Sequence, residues 1–475
     1  MVFTSPIFLF LFLPSVLAVH FTLRRRGRNV WLLLASLVFY AWGEPDFLPV
    51  MLASIVANFV FGIFIDRAPR RVARHILAVA VTANVGLLVM YKYANFLVHS
   101  ADPLLMRMVG RSITLRPIAL PIGISFITFH ALSYVIDVYR RERRAQTNPL
   151  DLALYIALFP QLVAGPILRY AYLAPQIADR TITVGDFAVG VRRFIVGFGK
   201  KVLIANRLAV PADAIFGLSP EHLNVRLSWL AVTCYMLQIY FDFSGYSDMA
   251  IGLGRMFGFR FIENFDYPHV STSVREFWQR WHISLSTWFR DYLYIPLGGS
   301  RGSAARTYFN LVTVFTLCGL WHGARWTFVV WGLYHGMFLV LERVGFSKVL
   351  ERWWAPFRHA YLLLAVAVGW VFFRSDDLSA AVMFLTAMAG GGHGTNVAYH
   401  PALYLDSAVM LALIAGAVGS IPVVPQLSTW RARIGYPSLG WAADLASLAA
   451  LALVLLVSCM ALAAGTYNPF IYYRF

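Results

Sequence analysis

Residues 307–343 read TYFNLVTVFTLCGLWHGARWTFVVWGLYHGMFLVLER. Two apolar runs, 307–322 and 324–343, meet at Trp321-His322-Gly323-Ala324-Arg325, with a single basic residue at the join. A helix needs about 20 mostly apolar residues to cross a bilayer, and each run comes close to that length. The same pattern recurs on both sides, at 4–23, 29–43, 46–66, 75–96, 117–137, 150–168, 225–250, 358–374, 402–420 and 441–464. These runs predict an all-α polytopic membrane protein with about 10–12 transmembrane helices, each boundary soft by a few residues.

Composition points the same way. Hydrophobic residues make up 59% of the 475 and charged residues 13%, against roughly 25% charged in a soluble domain. With aromatics at 16%, a soluble fold has too little interior to hide the apolar surface. Disordered, collagen-like and disulfide-scaffold classes are excluded. Cys234, Cys318 and Cys459 all lie in apolar runs and read as small core residues.

The net charge of +17 does not indicate nucleic acid, because the basic residues sit in short clusters between apolar runs, at 24–28, 67–74, 140–144 and 301–306. That is how cytoplasmic loops are marked. The basic loop at 24–28, the acidic hairpin around Glu44 and Asp46 and the next basic loop place the N-terminus outside. The first run lacks a basic leader and a convincing small-residue cleavage site, so it reads as a span. Arg192, Arg193, Lys200 and Lys201 interrupt the run 187–207, which reads as interfacial or protein-buried. No internal repeat or linker divides the chain. A single integral domain, 1–475, is expected, with its chemistry concentrated in 238–336.

Three polar segments carry that chemistry. The first, Tyr240-Phe241-Asp242-Phe243-Ser244-Gly245-Tyr246-Ser247-Asp248, lies inside an apolar run. An ionisable group at the bilayer centre costs roughly 2.5–3.5 kcal/mol, so it faces a protein interior or a wet cavity. At six residues apart the two Asp lie on different faces of a helix. They either satisfy local donors in a broken helix or line a cavity.

The second segment, 274–290, reads as one helix with two faces. Val274, Phe277, Trp278, Trp281, Leu285, Trp288 and Phe289 repeat at three- and four-residue spacing, and Arg275, Gln279, His282, Ser286 and Arg290 form a polar stripe. An interfacial amphipathic helix explains the Trp and Arg, but not a His in mid-stripe.

The third segment holds His322 between two apolar runs, bracketed by Gly319 and Gly323. Glycine permits close backbone approach or a helix break that opens space beside the ring. A desolvated His stays neutral at pH 7, as a general base must. The alternative is a structural His bonded to a carbonyl at the break. His335 reads as a packed core residue. No metal signature, nucleophile elbow, Walker A motif or dinucleotide fingerprint is present.

Taken together, 240–248, 276–299 and 319–336 closely resemble the membrane-bound O-acyltransferase (MBOAT) family, and within it the bacterial alginate O-acetyltransferase membrane-subunit branch. The likeness extends to 120–126, 159–169, 2–42 and 468–475, and leaves out roughly 345–465. It implies a ring of transmembrane helices, with re-entrant or interfacial helices, around a thinned central funnel. His322 of the Trp-His-Gly motif maps to the catalytic His, and His282 of Arg-Trp-His-Ile-Ser to a second functional His. Asp242, Ser244, Gln279, Ser286, Arg290, Trp321 and Arg325 are candidates to line the substrate cavity. Arg325 stands where relatives often have Asn, three residues from His322, and Ser300 where Asn is common.

The resemblance further implies a bacterial inner-membrane enzyme with no bound cofactor or metal. Acetyl-CoA or another acetyl thioester would be the donor, and a periplasmic acetyltransferase the partner for an exported polysaccharide. Within that chemistry peptidoglycan and cellulose are alternative acceptors. From the residues alone, the rival class is a transporter or flippase, for which intramembrane Asp and His beside Gly breaks are also suited.

Overall fold

The computed structural model describes every residue except 113–114, 393, 395–398, 427–428, 430–439, 466–469 and 471–475. The C-terminal match at 468–475 therefore lies outside the described residues, Phe470 apart. The chain is 78% helical, with no strand among the described residues. Helix is the expected answer in lipid, where a backbone must satisfy its own hydrogen bonds within each segment. Pro45–Arg67, Arg70–Met108, Ala355–Arg374 and Trp441–Ala463 have both the length and the apolarity to cross a bilayer, and shorter apolar helices accompany them.

The chain packs as two compact units. The first comprises Met1–Gly190 with Leu253–Ile262. Here the spans Leu48–Arg67 and Arg70–Leu88 pack against Ile124–Tyr139, whose side chains are nearly all buried. Asn58 and Asn84 close a reciprocal amide pair between the two spans, at 3.1 and 2.8 Å, so neither buried amide is left unsatisfied. Two expected spans are broken. Only Ile124 onward is helical in 117–137, because Pro117 and Pro121 precede it. The run 150–168 stops at Leu158 between the helices Pro149–Ala157 and Phe159–Leu162. Pro160 lacks the N–H needed to continue the first of these. Residues 152–168 are buried in protein, which explains an apolar run that does not span.

The second unit comprises Val191–Gly252 with Glu263–Phe475. The Val225–Met256 helix is continuous through 240–248, so the polar residues there do not mark a helix break. Asp242 faces Lys201, with Nζ 2.6 Å from Oδ1, and Asp248 faces Lys200 at 2.7 Å and Arg193 at 2.8 Å. Arg193, Lys200 and Lys201, three of the four basic residues that interrupted the run 187–207, are thus partners of acidic ones in the Val225–Met256 helix. Lys201 is buried, as a protein-embedded segment requires.

Ala304–His322 and Trp326–Leu341 form an antiparallel hairpin. Between apolar helices there is no water to expel, so association depends on close van der Waals packing. A Cβ on Gly319 would meet the Phe328 carbonyl oxygen, and one on Gly332 the Phe315 carbonyl oxygen, in both cases well inside contact distance. The two backbones therefore approach where only glycine fits. This close approach sets the position of His322, the last residue of the first helix.

Candidate active site

The segment 274–290 is not one helix. Val274–Arg280 and Ile283–Phe289 are separated at Trp281 and His282, and His282 takes a left-handed backbone with φ 45° and ψ 54°. Left-handed backbone costs a non-glycine residue roughly 1–2 kcal/mol, so other bonds must hold it there. The Asp266 N–H donates to the Arg280 carbonyl (3.0 Å) and the Ile283 N–H to the Asn264 carbonyl (2.9 Å), pinning the break to an extended stretch. At its start, the Glu342 carboxylate accepts from the Val274 and Arg275 N–H groups at 2.7 and 3.0 Å and from the Tyr361 hydroxyl at 3.2 Å. A helix N-terminus stabilises a carboxylate in that position. Neither seven-residue helix is long enough to cross a membrane.

The break turns His282 into a cavity of about 1050 Å³. Arg275, Gln279, Ser286 and Cys318 line it, and so does His322. His322 is buried, with its ring edge-on to Trp331 and Phe373 at centroid distances of 5.2 Å each. Trp321 lies 4.9 Å from the His322 ring and 6.1 Å from the His282 ring, within aromatic contact of both. On its other side the His282 ring meets Phe243 at 4.5 Å. Burial pushes the His282 imidazole down to about 3, so the ring is neutral at working pH. Arg343 and Arg358 add to the cationic lining and Glu351 to the acidic one, alongside Glu342.

Four of the five residues in the polar stripe thus share one cavity although the helix carrying them is broken. Arg290, the fifth, instead bonds Asp291 at 2.7 Å. Ser244 is buried on the Val225–Met256 helix, Asp242 is paired with Lys201, and Arg325 meets Asp376 at 3.1 Å on an exposed surface. None of these, nor Trp321, is among the residues lining the cavity. His335 packs against Trp278 and Trp331, the core role expected of it. Asn264, Glu342, Arg343 and Arg358 belong to no motif in the sequence, and Cys318, read there as a small core residue, also borders the cavity. Only Glu342, a carboxylate closing an apolar run, carried a visible signal.

A family model described as MBOAT, membrane-bound O-acyltransferase family, matches residues 34–374, which include both histidines and the glycine-packed hairpin. The chain belongs to this family. The acyltransferase is 42% identical to the probable alginate O-acetylase AlgI of Azotobacter vinelandii over 501 aligned positions, covering all of both chains. It is 41% identical to the protein of the same name from Pseudomonas aeruginosa, again over both full lengths. The peptidoglycan O-acetyltransferase of Helicobacter pylori is 36% identical over 82% of this chain and 80% of its own. This protein is therefore a multi-pass membrane O-acyltransferase.

Proposed function

We propose that this acyltransferase takes an acetyl group from a cytoplasmic thioester, acetyl-CoA, and passes it to a hydroxyl for O-acetylation of an exported, alginate-like polysaccharide. It does so as one integral domain in a bacterial inner membrane, with its N-terminus periplasmic and a periplasmic acetyltransferase as partner. The observation that carries this reading is the convergence of His282 and His322 on one cavity in a chain alignable end to end with alginate O-acetylases.

In the proposed step the acceptor oxygen attacks the acetyl carbonyl carbon. The new C–O bond forms, the C–S bond breaks, and the hydroxyl proton passes to His322 and then to the departing sulfur. Positioned proton transfer of this kind contributes roughly 10²–10⁴-fold. His282 orients the acceptor. Holding both substrates in one site supplies the orientation contribution. Arg275, Arg343 and Arg358 suit a donor that carries phosphates.

The test is the O-acetyl ester content of each envelope polymer, measured by NMR in parent, deletion and complemented strains. Loss of esters from an exopolysaccharide, restored by the native gene and not by His322→Ala, supports the reading. Loss from peptidoglycan alone transfers the same chemistry to the acceptor named for the Helicobacter relative. Esters unchanged in every polymer, under conditions where the gene is expressed, overturn the substrate class.

A further inference from the structure

Asn264 lies outside the cavity lining, yet its side chain makes four contacts that together bear on which atom His282 offers to a substrate. Its side-chain oxygen accepts from the Ser284 backbone N–H at 3.2 Å and from the Ser284 hydroxyl at 2.9 Å. A backbone amide can only donate, so the Asn264 atom facing it is the oxygen and not the nitrogen. In that orientation the amide nitrogen donates to the Ser247 hydroxyl at 3.0 Å. The His282 Nδ1 lies 3.1 Å from that same oxygen. Facing an acceptor, Nδ1 must carry the proton. A neutral imidazole has one N–H, so Nε2 holds a lone pair. The buried Nε2 has no hydrogen-bond partner among the described residues. The Asn264 carbonyl also holds the strained turn, through the Ile283 N–H, so one residue sets both the height of the ring and its protonation pattern.

We propose that Asn264 is a positioning residue that locks His282 in its Nδ1–H tautomer, making Nε2 a hydrogen-bond acceptor for a second hydroxyl of the sugar acceptor, beside the one whose proton passes to His322. This rests on the reading of His282 as a participant in transfer, and it decides between two roles for that residue. An Nε2 lone pair receives a neighbouring O–H of the sugar and so orients it, leaving the attacking O–H to His322; it has no proton to give to a developing oxyanion. The ring has no charged group in direct contact among the described residues. Its neighbours are Asn264, Ser284, Phe243 and Trp321. The nearest ionisable groups are those sharing the cavity: His322, Arg275, Glu342, Arg343, Glu351 and Arg358.

The test uses the full-length protein in membrane vesicles, with labelled acetyl-CoA as donor and the polymer of the vesicles as acceptor. Asn264→Leu, similar in size and without an acceptor, is expected to lower kcat on the order of tenfold or more while KM for acetyl-CoA stays near the parent value. Asn264→Asp keeps the acceptor but adds a charge that favours the doubly protonated ring. The acid limb of its pH–rate profile is expected to move up by about one pH unit or more. A purely structural Asn264 would lower the amount of active protein and leave the profile superposable on the parent's after scaling, which overturns the proposal.

His282→Ala is measured beside them. If it retains parent turnover, His282 is not a participant and the underlying reading falls. If it is inactive while the Asn264→Asp profile superposes on the parent's, only the tautomer lock falls. Where Asn264→Asp is not recovered folded, Ser247→Ala frees the far side of the amide without touching the turn. It is expected to lower kcat about threefold or more at an unchanged thermal midpoint. Parent kcat in that variant overturns the proposal.

Discussion

Lys201 Nζ stands 2.6 Å from Asp242 Oδ1, and both side chains are almost wholly buried. Breaking a buried ion pair from one side costs about 3–5 kcal/mol. Lys201→Met is therefore expected to lower the thermal midpoint of the detergent-solubilised protein sharply. Lys201→Met with Asp242→Leu together should recover most of the loss. A single variant as stable as the parent would show that the pair carries no net stabilisation.

The hairpin that ends at His322 depends on close backbone approach. Gly319→Ala places a methyl against the Phe328 carbonyl oxygen, and overpacking of this kind costs roughly 1–3 kcal/mol. Because His322 is three residues away on the same helix, transfer per folded molecule should fall as well. Gly86→Ala is the matched control. Its Cβ meets nothing within 4 Å, so it should be neutral or stabilising by up to about 1 kcal/mol through helix propensity. Equal midpoints for the two variants would contradict the close approach.

The left-handed turn at His282 separates strain from chemistry. Glycine adopts φ 45° without the clash that a Cβ brings. His282→Gly and His282→Ala should both lose transfer, but the glycine variant should be the more stable of the two by about 1 kcal/mol. Thermal unfolding of the two side by side reads the difference. An alanine variant at least as stable as the glycine variant would argue against strain at this residue.

The cationic lining bears on the donor. Removing one charged hydrogen-bond partner is worth about 1.5–3 kcal/mol, so Arg275→Ala with Arg343→Ala should raise KM for acetyl-CoA about tenfold or more with little effect on kcat. A short acetyl thioester without phosphates should show no such change. An equal rise for both donors would mean that the arginines do not contact phosphates.

The membrane class and the helical fold were legible in the sequence because each depends on local rules, whereas the two histidines were singled out by the family resemblance. Apolar runs of spanning length have one low-energy form in lipid, and helical spacing puts Arg275, Gln279, His282 and Ser286 on one side. The short apolar run 150–168 was misread as a span because burial in protein and burial in lipid select the same residues.

What the sequence by itself determined is the chemical inventory: an apolar helical membrane chain with two histidines set among arginines, tryptophans and glycines. Only the tertiary structure decided how that inventory is used. The break at His282 has no Pro or Gly to announce it and is held by bonds to the extended stretch at Asn264 and Asp266. Asp242 pairs with Lys201, in another helix. Arg325, beside His322 in sequence, pairs with Asp376 instead of facing the cavity. The physical reason is common to all three. Polar groups removed from water must find partners, and the chain's packing, not its local periodicity, sets which partner comes within hydrogen-bonding reach.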